Sequence, residues 1–418
     1  MYSFITTFNL IIFLLFTIFY FYQIVYTFVS LFTKSRKFTA KKNHKFGIII
    51  AARNEENVIA QLIMSIHKQN YPAELVDIFV VADNCTDNTA SVAEAAGATV
   101  FVRNNAELVG KGYALDDTFA RLNEEYSDRA YEGYFIFDAD NLLDANYIKE
   151  MNSVFDAGYK MVTSYRNSKN YDSNWISAGS SLWFLREARY LNNARMILGT
   201  SCAVSGTGFL VHESVIRENG GWKYHLLTED IQFSVDNAIH GGMIGYCDSA
   251  KLYDEQPVLF SQSWRQRLRW AKGFYQVFTQ YGGALIRGVF KDKSFSCYDM
   301  FMTVTPAMFI SLLSIVVNLI FMIIGFCNVG VMDNMIPHTV LSMLMSVINF
   351  YLILFVFGLI TTITEWSQIH ASTAKKILYS FTFPLFILTY IPISIVALFK
   401  KIEWKPIHHS VSKTIDEI

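Results

Sequence analysis

The chain has 418 residues, of which 52% are hydrophobic, 16% aromatic and only 17% charged, with a net charge of −1. Soluble domains carry about 25% charged residues, and here the deficit is local. Residues 1–33, 300–332, 334–364 and 377–399 contain no Asp, Glu, Lys or Arg, whereas 34–297 is ordinarily charged. Each stretch meets the roughly 20 apolar residues that cross a hydrocarbon core, which excludes a purely soluble protein. The 35 basic against 36 acidic residues leave no cationic excess for a nucleic-acid backbone.

The first apolar stretch, Phe4–Phe32, is longer than the about 7–15 residues of a signal-peptide core and lacks a small-residue cleavage site, so it predicts a retained transmembrane helix. Lys34, Arg36, Lys37, Lys41, Lys42 and Lys45 follow it. By the positive-inside rule they place the next domain in the cytoplasm, beside anionic headgroups. Further spans are predicted at 301–328, 338–362 and 377–399. The Cys327–His338 connector lacks Lys and Arg and suits the outside; Lys375 and Lys376 suit the inside. Four crossings would put the tail outside, against its Lys400, Lys401, Lys405 and Lys413, unless Pro384 and Pro392 break the last segment into a re-entrant element. The five cysteines show no metal-ligand spacing and read as reduced packing residues.

From Phe46 the chain alternates apolar strands with amphipathic helices: strands at 46–52, 75–83, 99–104 and 134–140, helices at 56–69, 88–98 and 110–125. Near-continuous apolar strands between helices predict a mostly parallel sheet covered on both faces, with ligands beyond the strands' carboxyl ends. Those ends are polar: Arg53-Asn54-Glu55, Asp83-Asn84 and Asp138-Ala139-Asp140. Such carboxylates suit a sugar nucleotide and a hard cation, Mg²⁺ or Mn²⁺. Asp83 in DNCTDNT is also good turn chemistry. A DxD pair arises by chance roughly once in such a chain, so its position after YFIF carries its value.

Lys111, between two glycines at a helix start, can meet a phosphate or merely mark a turn. CAVSGTGFLV (202–211) predicts a strand whose small residues admit a close ligand. Thr228-Glu229-Asp230 opens a helix, with a plain N-cap as the alternative. Gln266-Arg267-Leu268-Arg269-Trp270 supplies Q-x-x-R-W, a pattern that chance provides far less than once per chain. Residues 261–288 predict an amphipathic helix lying on the membrane surface, or else packing on the sheet.

The order Asp83, DxD, TED, QxxRW between membrane segments resembles the inverting family 2 glycosyltransferases of GT-A fold. It looks most like the membrane polysaccharide synthases that make cellulose, chitin, hyaluronan and poly-N-acetylglucosamine, over about 46–290. The resemblance implies an α/β GT-A domain with transmembrane helices, a UDP-sugar donor and a Mg²⁺ or Mn²⁺ cofactor. Asp230 would be the catalytic base. Arg53, Glu55, Asp83, Lys111, Asp138, Asp140 and Arg269 would bind the donor, Asp140 as metal ligand. Glu229, Gln266 and Trp270 would frame the acceptor.

The expected organisation is a transmembrane helix at 1–33, the GT-A domain at 34–256 and the QxxRW and interfacial helices at 257–298. Three membrane segments at 299–400 and a tail at 401–418 complete it. That tail is too short for a cyclic-dinucleotide domain like that of bacterial cellulose synthase. The expected product is a growing β-linked polysaccharide or, alternatively, a glycosylated membrane lipid. Expected partners are the donor, that acceptor, the bilayer, and a second copy or accessory subunit where four spans are too few to enclose a polymer.

Overall fold

The computed structural model describes residues 2–305, 307–327, 335–402, 409 and 411–418. Helix α1 (Tyr2–Phe32) is followed by β1 (Phe46–Ala52), α2 (Ile59–His67), β2 (Val76–Asp83), α3 (Thr89–Ala95), β3 (Thr99–Arg103), α4 (Lys111–Glu125), β4 (Gly133–Asp138) and β5 (Leu142–Leu143). Then come α5 (Tyr147–Asp156), β6 (Met161–Ser168), α6 (Trp175–Arg186), a π-helical turn (Glu187–Asn192), α7 (Asn193–Leu198), β7 (Phe209–His212), α8 (Glu213–Glu218), α9 (Glu229–Ile239) and β8 (Ile244–Asp254). The C-terminal part is helical: α10 (Phe260–Lys291), α11 (Phe295–Val304), α12 (Ala307–Cys327), α13 (Met335–Thr364), α14 (Thr373–Leu388) and α15 (Tyr390–Phe399).

One eight-stranded sheet runs β3-β2-β1-β4-β7-β6-β8-β5. Strands β3, β2, β1 and β4 are parallel, as are β6 and β8; β7 is antiparallel to both its neighbours and β5 to β8. The apolar runs of β1 (Ile48, Ile49, Ile50) and β4 (Phe135, Ile136, Phe137) are fully buried because helices cover both faces, as the pattern predicts. Register aligns Ala52 of β1 with Ala82 of β2, and Ala51 with Asp138 of β4. The polar residues that follow these positions therefore share one edge. Cys202, Cys247 and Cys297 are buried free thiols, which agrees with packing roles.

Two elements differ from expectation. The predicted strand 202–211 is extended only from Phe209, because Gly206 and Gly208 adopt φ of +85° and +66°, which a pleated strand does not accommodate. The expected span at 301–328 is divided, with α11 packed on α9 and α10 and only α12 continuing as an uncharged helix. Among the described residues three helical stretches are long and apolar enough to cross a membrane: Thr6–Phe32, Thr339–Thr364 and Thr373–Phe399.

The last stretch is broken at Thr389, between α14 and α15. Pro392 has no N–H for the Leu388 carbonyl, so a continuous helix would lose a bond there. Helix α14 packs on α6 and α15 on α10, and Tyr379 and Phe383 of α14 join the core of the sheet domain. Most of the connector at 327–338, and Lys405, lie outside the described residues.

A buried ion pair fixes α1 and α11 to the domain. Arg195 of α7 donates from Nε and Nη2 to the two Asp299 carboxylate oxygens at 2.7 and 2.8 Å, and Tyr26 donates to the same carboxylate at 2.7 Å. Both charged side chains are almost fully buried, so removing one strands the other in a low dielectric. Asp299→Ala is expected to cost about 3–5 kcal/mol. An unfolding midpoint of the detergent-solubilised protein unchanged by that substitution would contradict this account.

Candidate active site

The carboxyl edge of the sheet collects acids from several strands. Asp138 ends β4, and its backbone N–H donates to the Thr207 hydroxyl at 2.9 Å. The side chain of Asp138 is ion-paired with Lys111, the first residue of α4, and the same ammonium donates to the Gly206 carbonyl at 2.7 Å. Gly206 stands beside the TED motif: a Cβ added there would lie 3.6 Å from Asp230 Oδ2. The glycine-rich turn thus brings Lys111, Asp138 and Asp230 into one small space.

Asp140 is buried. Its Oδ2 accepts the Glu255 N–H at 2.8 Å and its Oδ1 accepts from Asn141 Nδ2 at 3.3 Å. Burial disfavours the Asp140 carboxylate, but His409, Lys169, the Glu255 N–H and Arg166 outweigh it and hold the group below the ordinary carboxylate range. Arg166 of β6 donates from Nε to Asp254 Oδ2 at 2.7 Å. Asp254 ends β8, so a fourth strand contributes a carboxylate to this edge. Burial raises the Asp254 pKa against the Arg166 charge.

Glu55 follows β1 and meets His409 of the C-terminal tail, whose Nδ1 lies 3.0 and 2.9 Å from its two oxygens. Burial lifts Glu55 to about 7, with Asp140 and Asp138 adding to the rise and His409 opposing it. Arg53, at the end of β1, is half-buried. Asp83 is buried at the end of β2, and one of its oxygens accepts from Arg103 Nη1 at 2.6 Å. The turn chemistry of DNCTDNT belongs to Asp87, which accepts the Thr89 N–H at 3.0 Å.

Glu229 and Asp230 occupy the first turn of α9. Thr228, at the N-cap position, makes no side-chain cap bond. Burial raises Glu229 to about 7, reinforced by Asp230 and countered by Lys111 and Arg269. Asp230 is likewise raised by burial, against the Ile231 N–H, Lys111 and Arg166.

Helix α10 divides the QRLRW motif between its faces. Arg267 is buried away from the acids: its Nη1 donates to the Phe386 carbonyl at 3.1 Å and the Thr389 hydroxyl at 2.6 Å, and its guanidinium stacks 4.2 Å from the Phe386 ring. Gln266, Arg269 and Trp270 are half-buried. Trp270 meets Phe184 of α6 edge-on at 6.0 Å, and Arg166 lies 3.6 Å over that same ring. Helix α10 packs on α9, α11 and α15.

The edge therefore unites Glu55, Lys111, Asp138, Asp140, Glu229 and Asp230, with Arg269 close enough to influence Glu229. Asp83 lies two strands from Asp138, on the far side of β1. Sequence reasoning missed Arg103, Arg166, Lys169, Asp254, Glu255 and His409. Asp254-Glu255 is a further acidic strand tip and was available as a signal.

A scan against family models matches residues 44–273, more than half of the chain, to the model described as glycosyltransferase like family 2. The chain belongs to the family 2 glycosyltransferases. This glycosyltransferase is 23% identical over 283 residues to the probable glycosyltransferase YdaM of Bacillus subtilis, covering 63% of each chain. It is 23% identical over 240 residues to a beta-monoglucosyldiacylglycerol synthase of Synechocystis, covering 56% of this chain and 48% of that one. With a poly-beta-1,6-N-acetyl-D-glucosamine synthase of Staphylococcus epidermidis it shares 24% over 266 residues, 61% of each. The matches span about half to two thirds of these relatives' lengths.

Among solved structures, the mannosyltransferase PcManGT of Pyrobaculum calidifontis, in complex with GDP-Man and Mn²⁺, has the same fold. The TM-score is 0.58 at 14% identity, over 94% of this chain and 99% of that one. The sheet with its covering helices is thus of GT-A type.

Close packing supports the TED turn. A Cβ at Gly273 of α10 would stand 2.5 Å from Thr228 Cγ2 and Oγ1. Gly273→Ala is expected to destabilise the protein by about 1–3 kcal/mol through overpacking and to slow sugar transfer by moving Glu229 and Asp230. Measured stability and turnover equal to the parent protein would contradict this contact.

Proposed function

We propose that this glycosyltransferase moves glucose or N-acetylglucosamine from UDP to a growing β-linked polysaccharide at the membrane, inverting the anomeric carbon and coupling synthesis to secretion. The observation that carries the reading is the bridge from Lys111 to Asp138 and the Gly206 carbonyl, with Gly206 against Asp230. A diphosphate held at the DxD edge then leaves its sugar facing a carboxylate on α9.

In this reading Arg53, Glu55 and Asp83 line the nucleotide side, and Lys111 and Arg269 meet the diphosphate. Arg269 suits the departing phosphates through its planar fork of donors. Asp140, with Asp138 beside it, would hold a divalent cation. Among the described residues no three His, Cys, Asp or Glu side chains form a ready cage. The fit is therefore to Mg²⁺ or Mn²⁺, which commonly takes one or two carboxylates and completes its shell with substrate phosphates and water. Such a cation supplies counter-charge to the leaving diphosphate.

Asp230 accepts the proton of the acceptor hydroxyl as that oxygen attacks the anomeric carbon. One carboxylate suffices because a diphosphate, unlike a glycosidic oxygen, needs no protonation to leave. Trp270 and Phe184 offer apolar faces for the acceptor sugar, with Gln266 and Glu229 providing polar contacts.

A second reading, transfer to a membrane lipid, is supported by the beta-monoglucosyldiacylglycerol synthase relatives. It also fits the packing of α14 and α15 on α6 and α10, the helices that carry Phe184 and Trp270. Reconstituted protein given labelled UDP-glucose or UDP-N-acetylglucosamine separates the two. Precipitable polymer supports the first, and label extracted into organic solvent replaces it with the second.

Crossing by α1, α12 and α13, with α14 and α15 held at the cytoplasmic face, accounts for both the catalytic domain and the lysine-rich tail inside. The tail's bonds to the sheet domain, such as Gln61 Nε2 to the Ser412 hydroxyl at 2.6 Å, support that topology. We keep the domain limits given above as a proposal, with α11 grouped with the catalytic domain.

Asp230→Asn is expected to abolish transfer while leaving UDP-sugar binding nearly intact, since a base acts mainly in the transition state. Loss of donor binding by calorimetry would make Asp230 structural instead. Because burial raises the Asp230 pKa, the ionised base is lost as pH falls through a value above the usual Asp range of about 3.9. The acid limb of the kcat/KM profile is accordingly expected above that range, and a limb at or below it would contradict the assignment.

A further inference from the structure

We propose that Arg186, held by Gln23 of α1 and Phe357 of α13, binds the phosphate of an anionic phospholipid where the catalytic domain meets the bilayer. This rests on the membrane crossing by α1 and α13 proposed above and is independent of the donor chemistry.

Arg186 is the last residue of α6 and stands at the junction of that helix with two uncharged spans. Helix α6 packs on α13, and the π-helical turn after it packs on α1. The residue is buried, yet it lacks a counter-charge. Its Nη2 donates to Gln23 Oε1 at 2.6 Å, and its guanidinium lies 5.7 Å from the Trp183 ring and 5.2 Å from the Phe357 ring. No carboxylate of the described residues, the adjacent Glu187 included, is hydrogen-bonded to it or within ion-pair distance. Arg103 and Arg195, also buried, are each paired with an aspartate.

Cation–π contacts are worth about 0.5–2 kcal/mol, less than the several kcal/mol that an ion loses on leaving water. The Gln23 amide occupies one of the five guanidinium donors. Nε and Nη1 have no acceptor among the described residues, and neither is fully enclosed. They are open to an anion from outside the fold.

Position selects that anion. At this level α1 and α13 pass from bonds with the domain, Tyr26 to Asp299 and Thr364 with Tyr190, to faces that expose Ile18, Phe21, Leu352 and Val356. Lipid headgroups meet a protein at such a boundary, and Trp183 beside Tyr22 supplies the aromatic residues that favour it. An ionisable side chain set against apolar spans marks a functional site, and the fork of an arginine matches two phosphate oxygens. A zwitterionic lipid brings its own cation, so an anionic phosphodiester balances Arg186 better. Helix α6 also carries Phe184, against Trp270 and Arg166, so an occupied site steadies the helix beside the QxxRW motif.

Reconstitution of the full chain into phosphatidylcholine vesicles comes first, and failure to float with them overturns the crossing and this site together. Native mass spectrometry from neutral detergent then compares phosphatidylglycerol with phosphatidylcholine of the same acyl chains. The parent protein should retain one phosphatidylglycerol in preference, and that lipid should raise its unfolding midpoint. Retention should fall at least about tenfold in Arg186→Gln and recover in part in Arg186→Lys. It should persist in Lys34→Gln and Lys37→Gln, which alter the exposed collar after α1.

Equal retention of the two lipids by a parent protein that floats removes only this inference and needs no variant to fold. Undiminished retention in Arg186→Gln also overturns it. A midpoint raised equally by inorganic phosphate replaces the lipid with a soluble anion, and loss confined to the Lys34 and Lys37 variants moves the site to the collar; either result overturns the proposal.

Discussion

Mutual repulsion among the carboxylates at one sheet edge is the constraint to which the rest of the molecule answers. Glu55, Asp138, Asp140 and Asp254 arrive there because parallel strands must end together, and Glu229 and Asp230 arrive on the first turn of α9. Unpaired buried charge is costly, and three of these acids are ion-paired with a cation from a different element. Lys111 comes from α4 to Asp138, Arg166 from β6 to Asp254, and His409 from the tail to Glu55. On the proposed reading, a nucleotide diphosphate with its cation would have to exchange partners with Lys111, Arg166 and His409.

The parallel half of the sheet was legible because both faces of its strands are buried, which leaves an unbroken apolar run in β1, β2 and β4. The other half was not. Strand β6 (MVTSYRNS) turns polar at Arg166, Asn167 and Ser168, and β8 (IGYCDSAKLYD) carries Asp248, Ser249 and Lys251 in its middle. Neither shows the period of a strand, so the acidic tip at Asp254 is visible in the sequence only once β8 is known to be a strand. The DxD and TED residues could be chosen by position, but Arg166 could not, since nothing local marks one arginine in a polar stretch. His409 is the extreme case. It is 354 residues from Glu55, and only the fold brings the two together.

Membrane anchoring and catalysis also share parts. Where α13 ends, Glu365 accepts from Tyr165 of β6 and pairs with Arg189 at 3.5 Å, and Lys251 of β8 donates to Gln368 Oε1 at 2.8 Å. At the other end of the bundle, Asn9 of α1 donates to Asn318 of α12 and Ser342 of α13 at 3.0 and 2.8 Å. Such bonds between apolar helices are worth about 0.6 kcal/mol each on average, enough to align the three helices without locking them.

The two-faced α10 bears on how the protein can be divided. Its Gln266, Arg269 and Trp270 belong to one side, while Arg267, Leu268 and Ala271 are covered by α14 and α15. Excising the sheet domain as a soluble fragment would strip Arg267 of the Phe386 carbonyl and Thr389 hydroxyl, and would remove Ile369, Tyr379 and Phe383 from the main core. The boundary between enzyme and membrane anchor exists in the composition of the chain but not in its packing. A truncation designed from hydropathy alone would cut through the interior of one cooperative unit.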